Sequence, residues 1–275
     1  MPMTILAIVA EPQTAHICLT GALAAAAVDP AARIEVFHVK VDPARLIRAP
    51  EEISIQRLRE HDEGTAADRE AAVRRIYEAW LAQVPPDQID RVRWRTVVGA
   101  EEEMVLKEAR AADLLVLARP HNMDGDDAMH AAIYGSRRPL LVPPDWSPSG
   151  PDALGHHIAI AWKPTLQAHH AVEGAGPWLR RAERVSLIVI ARDARAGGID
   201  EAEHLAREIG FSAGVALIEP KPGEVGEQLL QAVAALRADA LVLGAYRHND
   251  MVEWALPSTT RHILAHAQVP LFLAH

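Results

Sequence analysis

Two cations and two hydroxyls stand where an α/β protein could grip an anion. Gly244 closes an apolar run, DALVLGA (239–245), and Arg247 follows in a polar loop. After Pro257, Ser258 and Thr259 open a helical stretch, while Lys163 and Thr165 follow a second apolar run, HIAIAW (157–162). A strand ending in glycine, then a turn and a hydroxyl-led helix, can hold phosphate on backbone N–H groups and the helix dipole. Lys and Arg would add charge-assisted hydrogen bonds. However, Arg247 and Pro257 stand where such a loop uses glycine to let backbone approach the ligand and to reach positive φ. Pro257 has no N–H to give, although it suits the first turn of a helix. Lys163 cannot accept a hydrogen bond, so it cannot read a ribose or an amine edge as a carboxylate does. The set Lys163, Thr165, Gly244, Arg247, Ser258 and Thr259 therefore points to an anion, with phosphate as one candidate. The plainer alternative keeps Arg247 in solvent and has Ser258 and Thr259 cap the helix.

Other constellations carry less. His262 and His266 are spaced i, i+4 on one helix face, which can seat zinc, but two ligands do not close a zinc site, and packing is expected. Asp124, Asp126 and Asp127 lack calcium-loop spacing and are expected at a helix N-terminus. His121–Asn122 and His248–Asn249 recur in equivalent loops and could form a pH-sensitive pair, though exposed loop histidines are the commoner case. No G-x-S-x-G elbow and no G-x-x-x-x-G-K-[ST] loop occurs, so no catalytic residue is assigned and no metal site is expected. Cys18, the single cysteine, excludes an internal disulfide framework and is expected to be buried.

The elements that would position these residues repeat. A Pro- and Gly-rich stretch, PPDWSPSGPDALG (143–155), divides the chain into halves of 1–146 and 156–275. Each half alternates apolar strand with helix, and ADLLVLARPHN (112–122) aligns with ADALVLGAYRHN (238–249). Continuous apolar strands mean a sheet covered on both faces, and strand–helix alternation means parallel crossovers. The fold class is α/β, with two doubly wound parallel-sheet domains. Ligands in such sheets sit beyond the strand carboxyl ends at the switch point. Helices are expected over Ser54–Gln83, near Asp126–Tyr134, and unbroken from the end of HIAIAW to Arg181.

With 275 residues and 49% hydrophobic content the chain can bury two cores. A net charge of −9 argues against nucleic acid as a partner. No apolar run reaches bilayer length and no basic leader precedes TILAIV, so a cytoplasmic location without membrane partners is expected.

The stretches HIAIAWKPTLQAHHAVEGAGPWLRRAERVSLIVI and ADALVLGAYRHNDMVEWALPSTTRHILAHAQVPLFLAH resemble the universal stress protein family in its tandem form, and TILAIVAEPQTAHICLTGALAAAA resembles its opening. The resemblance implies strands ordered 3-2-1-4-5 in each domain, an adenine nucleotide alpha hydrolase-like fold. Nucleotide-binding members carry G-x2-G-x9-G-[S/T] after strand four and an Asp ending strand one. Here Gly244 matches the first Gly and Ser258 the hydroxyl, whereas Arg247, Pro257 and Lys163 replace the second Gly, the third Gly and the Asp. In the first half Ala10 and Ala118 replace the Asp and the first Gly. The resemblance thus implies a stress-response binding or regulatory module. Its first half is not expected to bind ATP; ATP with Mg2+ stays open as a ligand of the second. A rival is an ATP-binding enzyme with weak hydrolase or transfer activity, for which Asp250 and Glu253 are the nearby acids. The third alternative fills both crevices with side chains and places function on a surface anchored by Trp178 or Trp254. The resemblance also implies that the halves pack as an intramolecular pseudo-dimer through RPLLVPP and VPLFLAH, with a homodimer left open.

Overall fold

In the computed structural model, residues 2–44, 60–145, 154–221, 223–245 and 258–275 are described. Arg247, His248, Asn249, Asp250, Glu253, Trp254 and Pro257 lie outside them, as does the first part of the helix expected from Ser54. The chain divides into two compact units, Met1–Arg138 and Pro139–His275.

The first unit runs β1 (Thr4–Ile8), α1 (Pro12–Ala26), β2 (Arg33–Lys40), α2 (Ala66–Leu81), α3 (Pro86–Ile89), β3 (Val92–Val98), α4 (Glu101–Ala109), β4 (Leu114–Val116) and α5 (Met123–His130), which passes into a π-helical turn, Ala131–Gly135. Its strands pair in parallel in the order β3-β2-β1-β4. The chain reverses its direction of growth between β1 and β4, which makes their carboxyl ends the switch point. α1 begins on a proline, whose missing N–H is not needed there, and its Ala-rich face lies over the sheet with Ala15, Cys18, Leu19 and Ala22 buried. Cys18 donates weakly to the carbonyls of Ile8 and Val116, 3.3 and 3.4 Å away, and burial pushes its thiol up to about 12. α2 starts with a capping box in which Thr65 and Asp68 satisfy each other's backbone N–H.

The second unit contains β5 (Leu140–Val142), β6 (His157–Trp162), α6 (Leu166–Gly174), α7 (Gly176–Arg181), β7 (Arg184–Ile190), α8 (Ile199–Ile209), β8 (Gly214–Ile218), α9 (Val225–Leu236), β9 (Ala240–Gly244), α10 (Ser258–His266) and β10 (Leu271–Ala274). The order is β5-β10-β9-β6-β7-β8, parallel throughout except that β5 runs antiparallel to β10. From β6 onward this is the 3-2-1-4-5 order. The helix expected to run unbroken to Arg181 is two, divided at Ala175 where Gly176 and Pro177 begin α7. Pro177 cannot continue the α6 hydrogen-bond ladder, so the chain restarts there. Trp178 then turns inward, buried, with its ring 4.9 Å from that of Phe272.

The repeated Ala-Asp ahead of β4 and β9 has one structural purpose in both units. Asp113 accepts the Thr4 N–H at 2.8 Å, and Asp239 accepts the N–H groups of His156 and His157 at 2.9 and 3.0 Å. Each carboxylate ties the entry of a fourth strand to the entry of its own first strand.

Candidate functional site

At the carboxyl ends of β6, β7 and β9 the second unit opens a cleft of about 470 Å³. Trp162, Ile188, Ile190, Leu229, Leu243 and Ile263 wall it, and Lys163, Thr259 and Thr260 bring the polar side chains. Among the described residues that line it there is no carboxylate and no carboxamide. Lys163 is exposed at the mouth, while Thr260 is buried. Thr259 and Thr260 stand in the first turn of the nine-residue α10, so the positive end of that helix faces the same space.

The wall on the β6 side is rigid. Trp162 donates its indole N–H to the Gly198 carbonyl at 3.0 Å, so the ring offers the cleft an apolar surface with its donor already used. His169 packs on the indole, 5.1 Å between centroids, and donates to Glu201 at 2.6 Å. Gly198 has a φ of +62°, and a Cβ there would lie 2.8 Å from Pro164. Only glycine lets the loop after β7 fold back against the β6 end in this way.

Gly244 lies at the end of β9 and lines the same cleft. A Cβ on it would fall 2.7 Å from the Gln167 carbonyl carbon and 2.8 Å from the Ala168 nitrogen, both backbone atoms of α6. The close approach demanded of this glycine is therefore to a neighbouring helix. Thr165 caps α6, accepting the Ala168 N–H at 3.4 Å. Of the six residues singled out by sequence, the structure thus brings Lys163, Gly244 and Thr259 together, places Thr165 on a helix cap and Ser258 at the start of α10, and does not describe Arg247.

At the corresponding switch point of the first unit a side chain occupies the space. Glu11, three residues past β1 and 1% exposed, accepts the backbone N–H of His121 at 2.9 Å through Oε1. The His121 imidazole sits 3.3 Å from the same oxygen. Oε2 is buried with no hydrogen-bond partner among the described residues, and a Cβ on Gly125, at the start of α5, would lie 3.2 Å from it. Burial raises the Glu11 pKa, with the His121 N–H and ring pulling the other way. Asn122 caps α5 by accepting the Gly125 N–H, so the cap expected of the neighbouring acids falls to Asn122, and Asp124 is buried instead. Glu11 escaped sequence reasoning, which stopped at Ala10; an acid directly before a helix-opening proline was the available signal.

Two histidine groups lie elsewhere. His262 and His266 stack, 4.4 Å between centroids, and His262 reaches Glu227 at 3.3 Å. His157 is buried at the start of β6; Arg184 donates to its Nδ1 at 2.8 Å, which places the ring proton on Nε2, where it is donated to Ser186 at 2.9 Å. With its proton already facing the hydroxyl, this imidazole cannot accept one from Ser186, so the pair is a structural bond and not a nucleophile with its base.

No protein-family model and no curated protein matches the sequence. Solved structures do match it along nearly its whole length. A universal stress protein from Archaeoglobus fulgidus DSM 4304 superposes with a TM-score of 0.62 at 12% identity, covering 98% of this chain and 95% of the other. A putative universal stress protein from Pseudomonas aeruginosa UCBPP-PA14 gives 0.56 at 14% identity, covering 99% and 93%. A functionally unknown protein from Pseudomonas aeruginosa PAO1 gives 0.57 at 14%, covering 99% and 92%. The fold is that of the universal stress proteins. Within it the second unit keeps an open crevice at its switch point, and the first has Glu11 in the corresponding place. No helix among the described residues is long and apolar enough to cross a membrane.

Proposed function

We propose that this chain is a universal stress protein-like binding module. Its second unit receives a small anionic ligand in the switch-point cleft, and its first unit is a structural partner whose crevice holds the buried Glu11. The contrast between the two switch points carries this reading: about 470 Å³ open beside Lys163 and the start of α10, against a buried Glu11 held by His121. A carboxylate fixed at that place repels any incoming phosphate, and the His121 N–H offsets part of its removal from water. In the second unit a cation, two hydroxyls and a helix N-terminus give an anion complementary charge, with no carboxylate among the described residues of the lining.

ATP with Mg2+ is the first ligand to test, because open doubly wound sheets in general bind their ligands, nucleotides often among them, at the switch point. Calorimetry on protein stripped of co-purified nucleotide, wild type beside Lys163→Gln, would decide it. Binding that weakens in the variant, with no phosphate released over hours, supports a binding module. Steady phosphate release would sink the module in favour of an enzyme, and no heat at millimolar ATP would remove ATP as the ligand.

A further inference from the structure

The ligand class can be narrowed from the cleft's own side chains. This step rests on the cleft being a ligand site. A nucleotide needs acceptors and donors for its ribose hydroxyls and base edge, and a cluster of cations, metal or free N–H groups for its phosphates. Among the described residues the lining offers no side-chain carboxylate or carboxamide for the first task, and the Trp162 indole N–H is already bonded to Gly198. For the second task the described lining supplies Lys163 and two threonine hydroxyls. What it supplies in quantity is aliphatic surface from β7, β9, α9 and α10, closed on one side by the Trp162 ring. An interior of this kind rewards apolar surface removed from water, at about 25 cal/mol per Å², and leaves polar rims unpaired.

We propose that the second-unit cleft takes an amphiphilic monoanion, an apolar body with a single carboxylate or similarly charged head. The body lies along Ile188, Ile190, Leu229 and Ile263, and the head meets Lys163 and the half-buried Thr259 of the α10 first turn at the mouth. Charge complementarity fixes the orientation, since the one cation of the described lining sits at the exposed end and the deep walls are aliphatic. A nucleoside triphosphate entering the same way would bury hydroxyls and a base edge with only the two threonine hydroxyls of the described lining as side-chain acceptors.

Two probes of matched size, octanoate and octan-1-ol, and a third of different chemistry, Mg·ATP, test this by calorimetry. Octanoate is expected to bind about tenfold or more tightly than octan-1-ol, the scale of one charge-assisted hydrogen bond, and more tightly than Mg·ATP. Lys163→Gln should bring octanoate down to the alcohol's affinity while leaving the alcohol unchanged. Val225→Trp, at the half-buried first residue of α9, should fill the cleft and abolish binding of both. The Lys163 arm stands alone should the tryptophan variant not fold. Mg·ATP binding more tightly than octanoate overturns the ligand class and leaves the cleft as a site. Octanoate no better than octan-1-ol, or unaffected by Lys163→Gln, overturns it as well. Silence from all three probes overturns the binding site itself.

Discussion

At the scale of single residues, the two halves of this chain treat the same position in opposite ways, and each treatment makes a measurable claim. Glu11→Ala would leave the His121 N–H without its acceptor, and is expected to destabilise the first unit by about 1–3 kcal/mol, read from denaturant unfolding. Glu11→Gln keeps an acceptor and removes the buried charge, so it should lose much less near neutral pH. Gly244→Ala would press a methyl into the α6 backbone and should cost about 1–3 kcal/mol, even though alanine suits a strand as well as glycine does. A larger loss of ligand affinity than of stability would contradict the packing role given to Gly244. The buried histidines set a pH trend. Burial lowers the pKa of His38, whose Nδ1 donates to the Val9 carbonyl at 2.8 Å, and burial followed by Arg184 lowers that of His157. Each therefore binds fewer protons folded than unfolded, and its share of stability is lost as pH falls below about 6.5. The raised pKa of Glu11 works the other way, since the fold takes up that proton first on acidification. Tm should thus fall between pH 7.5 and 5.5, and fall less steeply in a His157→Gln variant; a flat profile would refute the assignment. Gly244 and Lys163 drew attention from their places after apolar runs and from the family resemblance, and both line the cleft. Glu11 was not legible in the sequence, because its role depends on an N–H delivered from His121, far along the chain.

At the scale of elements, strands and their order were the most legible feature, because a continuous apolar run such as Leu241–Leu243 has no stable place except between two covered faces. The Ala-Asp repeat was visible too, though its meaning was not: nothing local says that Asp239 reaches His156 and His157 across the sheet. Asp239→Ala and Asp113→Ala should each weaken their own unit, Asp239→Ala more, since Asp239 holds two N–H groups at 3.0 Å or less and Asp113 holds one. Differential scanning calorimetry of the two variants would rank them. Thr165→Ala should cost about 1 kcal/mol through the lost α6 cap with ligand affinity unchanged, which separates the capping role from a binding one. The break between α6 and α7 hides in the sequence because Gly176-Pro177 is short and the apolar pattern on both sides agrees with one helix.

At the scale of the whole molecule, burial is uneven across the second unit's sheet. β6 and β9 are almost wholly buried, whereas β8 is the edge strand among the described residues and leaves Val215 40% and Leu217 46% exposed. Amide exchange should therefore be slowest in β9 and β6 and fastest in β8, measurable by mass spectrometry on peptic fragments. Equal protection of β8 and β9 would show that something covers that edge in solution. The lone thiol supplies a second handle on the molecule's energetics. Cys18 lies under α1 with its sulfur against Ile8 and Val116, and at a pKa of about 12 it is almost wholly protonated at ordinary pH. An alkylating reagent can reach it only after α1 leaves the sheet. Because the chain has no other cysteine, the labelling rate is a clock that times the opening of the first unit alone, with the second unit silent whatever it binds.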